Sequence, residues 1–319
     1  MEFSVRSPSR PRFRWQLRSQ CLELGERTRL VAIVNLATVT GFPDAANAKF
    51  AVAAAVEAVD GGADIVELGS AATRTGAQTV SAEQETARLL PVLEGLLLER
   101  PKAIVSVDTS YAATARAAAK RGAQILKDVS GLTWDAEMAE VAAQSGCGIV
   151  LMHARGRKRE WLAQGPMSSD EVVPAVFAGL CESVALAEAA SIADERMVVD
   201  PGFGFGKRGD ENFKLLAQLS RLHQLGLPMM VGLSRKGFLA EAVKPVQGER
   251  FVAGSQVSSA RPGAPAPVAS APRAEARYIA TVAGNVAAVL AGAHILRVHD
   301  LQAAKEAVAV ADGVLAAGE

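Results

Sequence analysis

Carboxylates and cations recur at one kind of place in this chain, the end of a short apolar run. Asp108 closes the run Ile104–Asp108 and Asp200 closes Met197–Asp200. Lys236 and Arg297 hold equivalent places, and Lys127, just before Asp128, ends another such run. An unpaired charge is costly to bury, so a carboxylate ending an apolar strand needs a reason. For either acid alone, a helix N-cap or a loop hydrogen bond is reason enough. Their joint occurrence with Lys236 and Arg297 makes a shared site the better account. Two carboxylates that accept and an ammonium that donates suit a flat heterocycle rich in N–H groups.

A second grouping lies in Arg297-Val-His299-Asp300. Alternation along a strand puts Arg297 and His299 on the same side of the pleat. Asp300 is then a candidate N-cap for the helix that follows. A cation, an imidazole and free helix N–H groups together make a phosphate site. The glycine-rich stretch Asp200–Lys207 matches neither a dinucleotide fingerprint nor a GxxxxGK[ST] loop, and its glycines are read as letting backbone pass close to a planar ligand. His223 and His294 read as structural. No HExxH or paired Cys/His spacing occurs, so a protein-caged zinc is not expected. Magnesium held mainly by a diphosphate, with Asn35 as one ligand, would leave only this faint trace.

The elements that must position these groups repeat eight times. Strands are expected at 30–35, 63–69, 103–109, 124–129, 148–153, 196–201, 229–234 and 294–299, ending at residues such as Asn35, Glu67, Asp108, His153 and Asp200. Helices are expected at 51–61, 82–98, 111–121, 136–145, 172–193, 212–225, 276–291 and 303–315. Gly62, Gly122, Gly146 and Gly226 fall just after helices, where a left-handed cap is wanted. Strands alternating with helices imply a parallel sheet, and eight units close into a (β/α)₈ TIM barrel whose strand ends share one face. A doubly wound open sheet also alternates, but it needs reversals of strand order and seldom runs to eight units. One barrel domain is expected over 23–319, after a poorly ordered arm at 1–22 rich in Arg, Ser and Pro. The long segments follow strands, and the Pro/Ala/Ser tract within about 240–275 reads as a flexible insertion.

Composition narrows the class. The chain has 319 residues, half of them hydrophobic, with 34 basic and 34 acidic side chains. No basic field exists to hold nucleic acid or an anionic membrane. Cys21, Cys147 and Cys181 lack CxxC spacing and read as free thiols in a reducing compartment. The basic N-terminal stretch is not followed by an apolar core of signal-peptide length, and no apolar run long enough to span a bilayer is seen, so a cytoplasmic location is expected.

Taken together, Ile33–Asn35, Gly62–Gly69, Thr73-Arg74, Ser106–Thr109, Asp128–Gly131, Val150–His153, Asp200–Lys207, Gly232–Lys236 and Arg297–Asp300 resemble the dihydropteroate synthase family. The likeness runs in order from about Leu24 to Leu315. It implies a reaction in which the amine of p-aminobenzoate displaces diphosphate from 6-hydroxymethyl-7,8-dihydropterin diphosphate, giving 7,8-dihydropteroate. It implies pterin contacts at Asp108, Asp200, Lys236 and the Lys127 position, and diphosphate contacts at Asn35, Arg297 and His299. Thr73, Arg74 and Asp44 match residues of the first two loops, with Arg74 matching one that orders them. Mg²⁺ and a homodimer are implied by the same resemblance.

Three departures lie on the catalytic face. Where the family usually reads Asn-x-Thr-Pro-Asp-Ser-Phe-Ser-Asp-Gly, this chain has Asn35–Ala45, one residue longer and with Val39 near the place of an acid. The second loop reads Ser70–Gly76 in place of Gly-Glu-Ser-Thr-Arg-Pro-Gly. Lys127 stands where an Asn that contacts pterin is usual. An ammonium only donates and must be neutralised, so Lys127 is predicted to pair with Asp108. These departures keep two other readings open: a catalytically impaired paralogue that binds a pterin or diphosphate, and a methyltetrahydrofolate-type methyltransferase.

Overall fold

In the computed structural model, which describes residues 10–36, 45–69, 80–157, 160–161, 164–168, 170–243 and 271–318, the first feature is an antiparallel hairpin. It pairs β1 (Phe13–Gln16) with β2 (Cys21–Leu24), so the described part of the expected loose arm is ordered. The reason is a period-two pattern: Phe13, Trp15 and Leu17 alternate with Arg14, Gln16 and Arg18. Trp15 is 0% exposed, and its indole N–H donates to the Arg196 carbonyl at 3.0 Å. Trp15, Leu17 and Leu24 pack with Val31, Ile65, Ile125, Val150, Val198, Met230 and Ile295, one apolar layer drawn from seven barrel strands. The hairpin thereby seals the bottom and leaves the chemistry to the opposite mouth.

Eight parallel strands follow: β3 (Arg29–Asn35), β4 (Ile65–Gly69), β5 (Val105–Asp108), β6 (Ile125–Asp128), β7 (Gly148–Met152), β8 (Met197–Asp200), β9 (Met230–Val231) and β10 (Ile295–Val298). Their order is β8-β7-β6-β5-β4-β3-β10-β9, and a parallel bridge between Val199 and Met229 joins the two ends. The ring is therefore a barrel, not an open sheet. Four consecutive strands, β5 to β8, are buried along their whole length, as strands covered on both faces must be.

The helices α1 (Ala45–Asp60), α2 (Ala82–Glu99), α3 (Ala112–Lys120), α4 (Met138–Ser145), α5 (Val172–Ala189), α6 (Gly209–Ala217), α7 (Gly237–Ala242), α8 (Ala271–Leu290) and α9 (Leu301–Ala317) surround the strands. The helix expected over 212–225 is instead α6 followed by a 3-10 segment, Leu219–Leu225, stopped by Gly226 at φ +69°. Residues 240–243 and 271–275, expected in the insertion, carry helix and turn, and 244–270 lie outside the described residues. Helix α5 is long and apolar enough to cross a membrane by composition, but Val172, Val176, Leu180 and Ala187 are buried in the barrel's core.

His294 ties the hairpin segment to the barrel. The Met229 N–H donates to its Nδ1 at 3.1 Å, so Nε2 carries the proton and donates to the Pro11 carbonyl at 3.0 Å. Burial, foremost, lowers its pKa to about 3, and the ring is fully buried. A histidine whose folded pKa is depressed contributes stability that is present above pH 6.5 and lost as pH falls toward 3. The unfolding free energy should therefore drop between pH 7 and 4.5, by on the order of 2 kcal/mol from this group. The His294→Gln protein should show a smaller drop, and equal drops in the two proteins would refute the assignment.

Candidate active site

The strand ends bring four charged side chains into one line. Glu67 on β4 accepts from the Arg297 Nε on β10 in a short ion pair. Arg297 Nη2 donates to Asp108 Oδ2 at 3.1 Å, and Lys127 Nζ lies 3.5 Å from Asp108 Oδ1. Register explains the meeting, because Asp108 pairs with Lys127 across β5 and β6, so both project to the same side. The predicted Lys127–Asp108 pair is present. Lys127 is only 1% exposed, and its other near contact is the Met152 sulfur at 3.7 Å. Burial foremost, with Asp108 adding, raises the Glu67 pKa against the pull of Arg297. Burial opposes charge on Arg297, but Glu67 and Asp108 outweigh it and raise its pKa.

Asp200 and Lys236 form the second part. Asp200, at the end of β8, accepts from the Gly202 N–H at 2.8 Å through Oδ1. Lys236, the N-cap residue of α7, sets Nζ 4.3 Å from the centre of the Phe205 ring. Burial and the nearby Arg297 bring its pKa down to about 7, while Asp200 and Asp108 pull the other way. Those couplings place Lys236 within electrostatic reach of the acid line. The turn after Asp200 is built by positive-φ glycines, and a Cβ on Gly202 would lie 2.0 Å from the His153 carbonyl. A Cβ on Gly204 would meet the Lys236 side chain at 3.4 Å. The glycines let the loop pass close to the His153 carbonyl and the Lys236 side chain.

Lys207, which ends that loop, carried no assigned role in the sequence reading. It is 4% exposed and donates to the carbonyls of His153, Gly202 and Phe205 at 3.2, 2.9 and 3.4 Å. Its burial drives the pKa to about 7. Lys207 is the clamp that fixes the loop carrying Phe205. A lysine after three alternating glycines was the only available signal, and it reads equally as a loop-surface charge.

His299 and Asn35 stand slightly apart. His299 Nδ1 lies 2.9 Å from Ser234 Oγ, and the His299 backbone N–H donates to the same oxygen at 3.3 Å. Partial burial, then Arg235, Arg297 and Lys236, hold the ring at about 4, so it meets an anion as a neutral donor. Asp300 caps α9 by accepting from the Ala303 N–H at 3.0 Å, as expected. Asn35 and His299 line a hollow of about 540 Å³ over the start of α9, with Asp300 and Phe50 among its walls. Arg297 turns instead toward the acids. Thr73, Arg74 and Asp44 lie outside the described residues. No group of three or more His, Cys, Asp or Glu suited to a metal occurs among the described residues.

This arrangement resembles known folds throughout. Residues 32–299 match the pterin binding enzyme family. The chain belongs to that family. Pterin-binding enzymes similar to it include the dihydropteroate synthase of Escherichia coli (strain K12), 35% identical over 261 residues and covering 82% of each chain. A structure of the Xanthomonas albilineans dihydropteroate synthase in complex with 7,8-dihydropteroate is 32% identical, covers 92% of this chain and 96% of its own, and superposes with a TM-score of 0.71. The same enzyme with 4-aminobenzoic acid gives a TM-score of 0.77 at 31% identity, covering 96% and 99%. The mouth of the barrel, where Asp108 meets both Lys127 and Arg297, is the candidate site of this pterin-binding family member.

Proposed function

We propose that the chain is a dihydropteroate synthase, a transferase that joins 6-hydroxymethyl-7,8-dihydropterin diphosphate to p-aminobenzoate in folate biosynthesis. The observation that carries this reading is the meeting of Arg297 with Asp108, and of Lys236 with the loop that follows Asp200, at the strand ends of a barrel that superposes on a dihydropteroate-bound relative. Asp200 and Asp108 accept from the pterin's N–H groups, and Lys236 donates to the opposite edge. Arg297, neutral His299 and the N-terminus of α9 receive the diphosphate. The amine nitrogen of p-aminobenzoate then forms a bond to the methylene carbon as the carbon–oxygen bond to diphosphate breaks. The amine proton is lost to solvent, and the electron pair leaves with diphosphate. Thr73, Arg74 and Asp44 belong to the p-aminobenzoate side.

Catalysis on this reading is positioning plus stabilisation of the leaving group. Asn35 would hold Mg²⁺ together with the diphosphate oxygens, a hard-oxygen donor set that fits a mouth without a three-ligand cluster among the described residues. When bound, the ion neutralises the departing charge. A homodimer with a cytoplasmic site of action completes the proposal, and the exposed Val310 and Val314, one turn apart on α9, offer an apolar strip for pairing. The names of the matched relatives favour catalysis over the binding-only and methyltransferase readings.

The test is turnover. With both substrates and Mg²⁺, the purified protein should release diphosphate and form 7,8-dihydropteroate in equal amounts. Tight pterin binding with no product would establish the binding-only reading instead.

A further inference from the structure

We propose that Glu67 is the positioning residue for Arg297, holding its guanidinium so that one edge is presented to the diphosphate. The inference rests on the diphosphate role given above to Arg297.

Glu67 is 0% exposed, in the middle of β4, where Ile33 and Ser106 are its register partners on the neighbouring strands. Removing a carboxylate from water is costly, and a buried ion pair is commonly replaced by apolar side chains at no loss of stability. An acid at this level of an otherwise apolar strand is therefore not explained by folding alone. Its geometry supplies the explanation. Glu67 Oε1 takes the Arg297 Nε–H, and Asp108 Oδ2 takes an Nη2–H at 3.1 Å. Those two donors form one edge of the planar fork, and pinning both fixes the plane. The end of the fork formed by Nη1 and the second Nη2–H donates to no described residue.

The two acids are not equivalent in this work. Asp108 is shared, because Lys127 also reaches it at 3.5 Å. Glu67 has no cation but Arg297 within ion-pair distance among the described residues, and its Oε2 is buried without a hydrogen-bond partner there. Without Glu67, the Nε edge of the guanidinium loses its anchor and the fork can turn about its remaining bond to Asp108, away from the diphosphate side.

Calorimetry tests this without turnover, using Mg²⁺ with inorganic diphosphate as one probe and pteroic acid, which has no diphosphate, as the other. Glu67→Gln keeps the side-chain volume and should raise the Kd for diphosphate about tenfold. It should leave the Kd for pteroic acid within about twofold and the melting temperature close to the parent's. In an Arg297→Ala background, Glu67→Gln should cause no further loss of diphosphate affinity, since the effect passes through Arg297. Arg297→Lys gives the same comparison if the alanine protein is unstable. Equal loss for both probes, an undiminished loss without Arg297, no loss, or a Glu67→Gln protein that does not fold would each overturn the proposal. A parent that binds diphosphate but makes no dihydropteroate defeats the synthase reading and leaves the role of Glu67 standing.

Discussion

Lys236→Met should lower kcat/KM for the pterin diphosphate by about a hundredfold or more, the scale seen when a preorganised donor to a developing charge is removed. Lys236 feels burial first and then the charges of Arg297, Asp200, Lys127 and Asp108, which together set its pKa. Its stem packs beside Gly204 and its ammonium lies over Phe205. Methionine keeps that length and apolar contact, so the melting temperature should hardly move. Because burial places the pKa at about 7, the donating form is lost as pH rises through neutrality. Pterin affinity of the parent should therefore fall between pH 6.5 and 8, and the inflection should be missing in Lys236→Met. An unchanged kcat/KM in the variant would remove Lys236 from the site.

Asp200→Asn should weaken pteroic acid binding by about a hundredfold, while the KM for p-aminobenzoate stays within about twofold. Asp200 is 3% exposed and spends Oδ1 on the Gly202 N–H at 2.8 Å. No described residue donates to Oδ2, which leaves it for a ligand. Asparagine can keep the bond to Gly202 through its carbonyl oxygen, so the loop should hold its shape. It then presents an NH₂ to the donor-rich edge of the pterin, and two facing donors repel where a carboxylate accepted. Calorimetry with pteroic acid reads the effect directly. A loss shared equally by p-aminobenzoate would point to a collapsed loop rather than a missing acceptor.

Much of this architecture was legible from residue patterns. The eight strand–helix units follow from hydrophobic period, and the strand-end positions of Asp108, Asp200 and Arg297 follow from where each apolar run stops. The Lys127–Asp108 pair was legible as well, because a buried ammonium needs a counter-charge and the adjacent strand end offered one. The hairpin at 13–24 was missed because its Arg-rich composition outweighed a period-two pattern only three apolar residues long. Glu67 was visible as a strand end but not as the partner of Arg297, 230 residues away in sequence.

The amino-acid order alone settles which side chains reach the crown of the barrel, since alternation and strand length are local properties. Which of them touch is decided by closure: β10 must lie against β3 before Arg297 can reach across to Glu67 and Asp108. The same closure gives His299 its contact with Ser234, while Arg297, two residues earlier, reaches Glu67 and Asp108. Local pattern fixes the face a residue points to, but ring-wide pairing fixes its neighbours, because contacts between distant strands depend on every register in between.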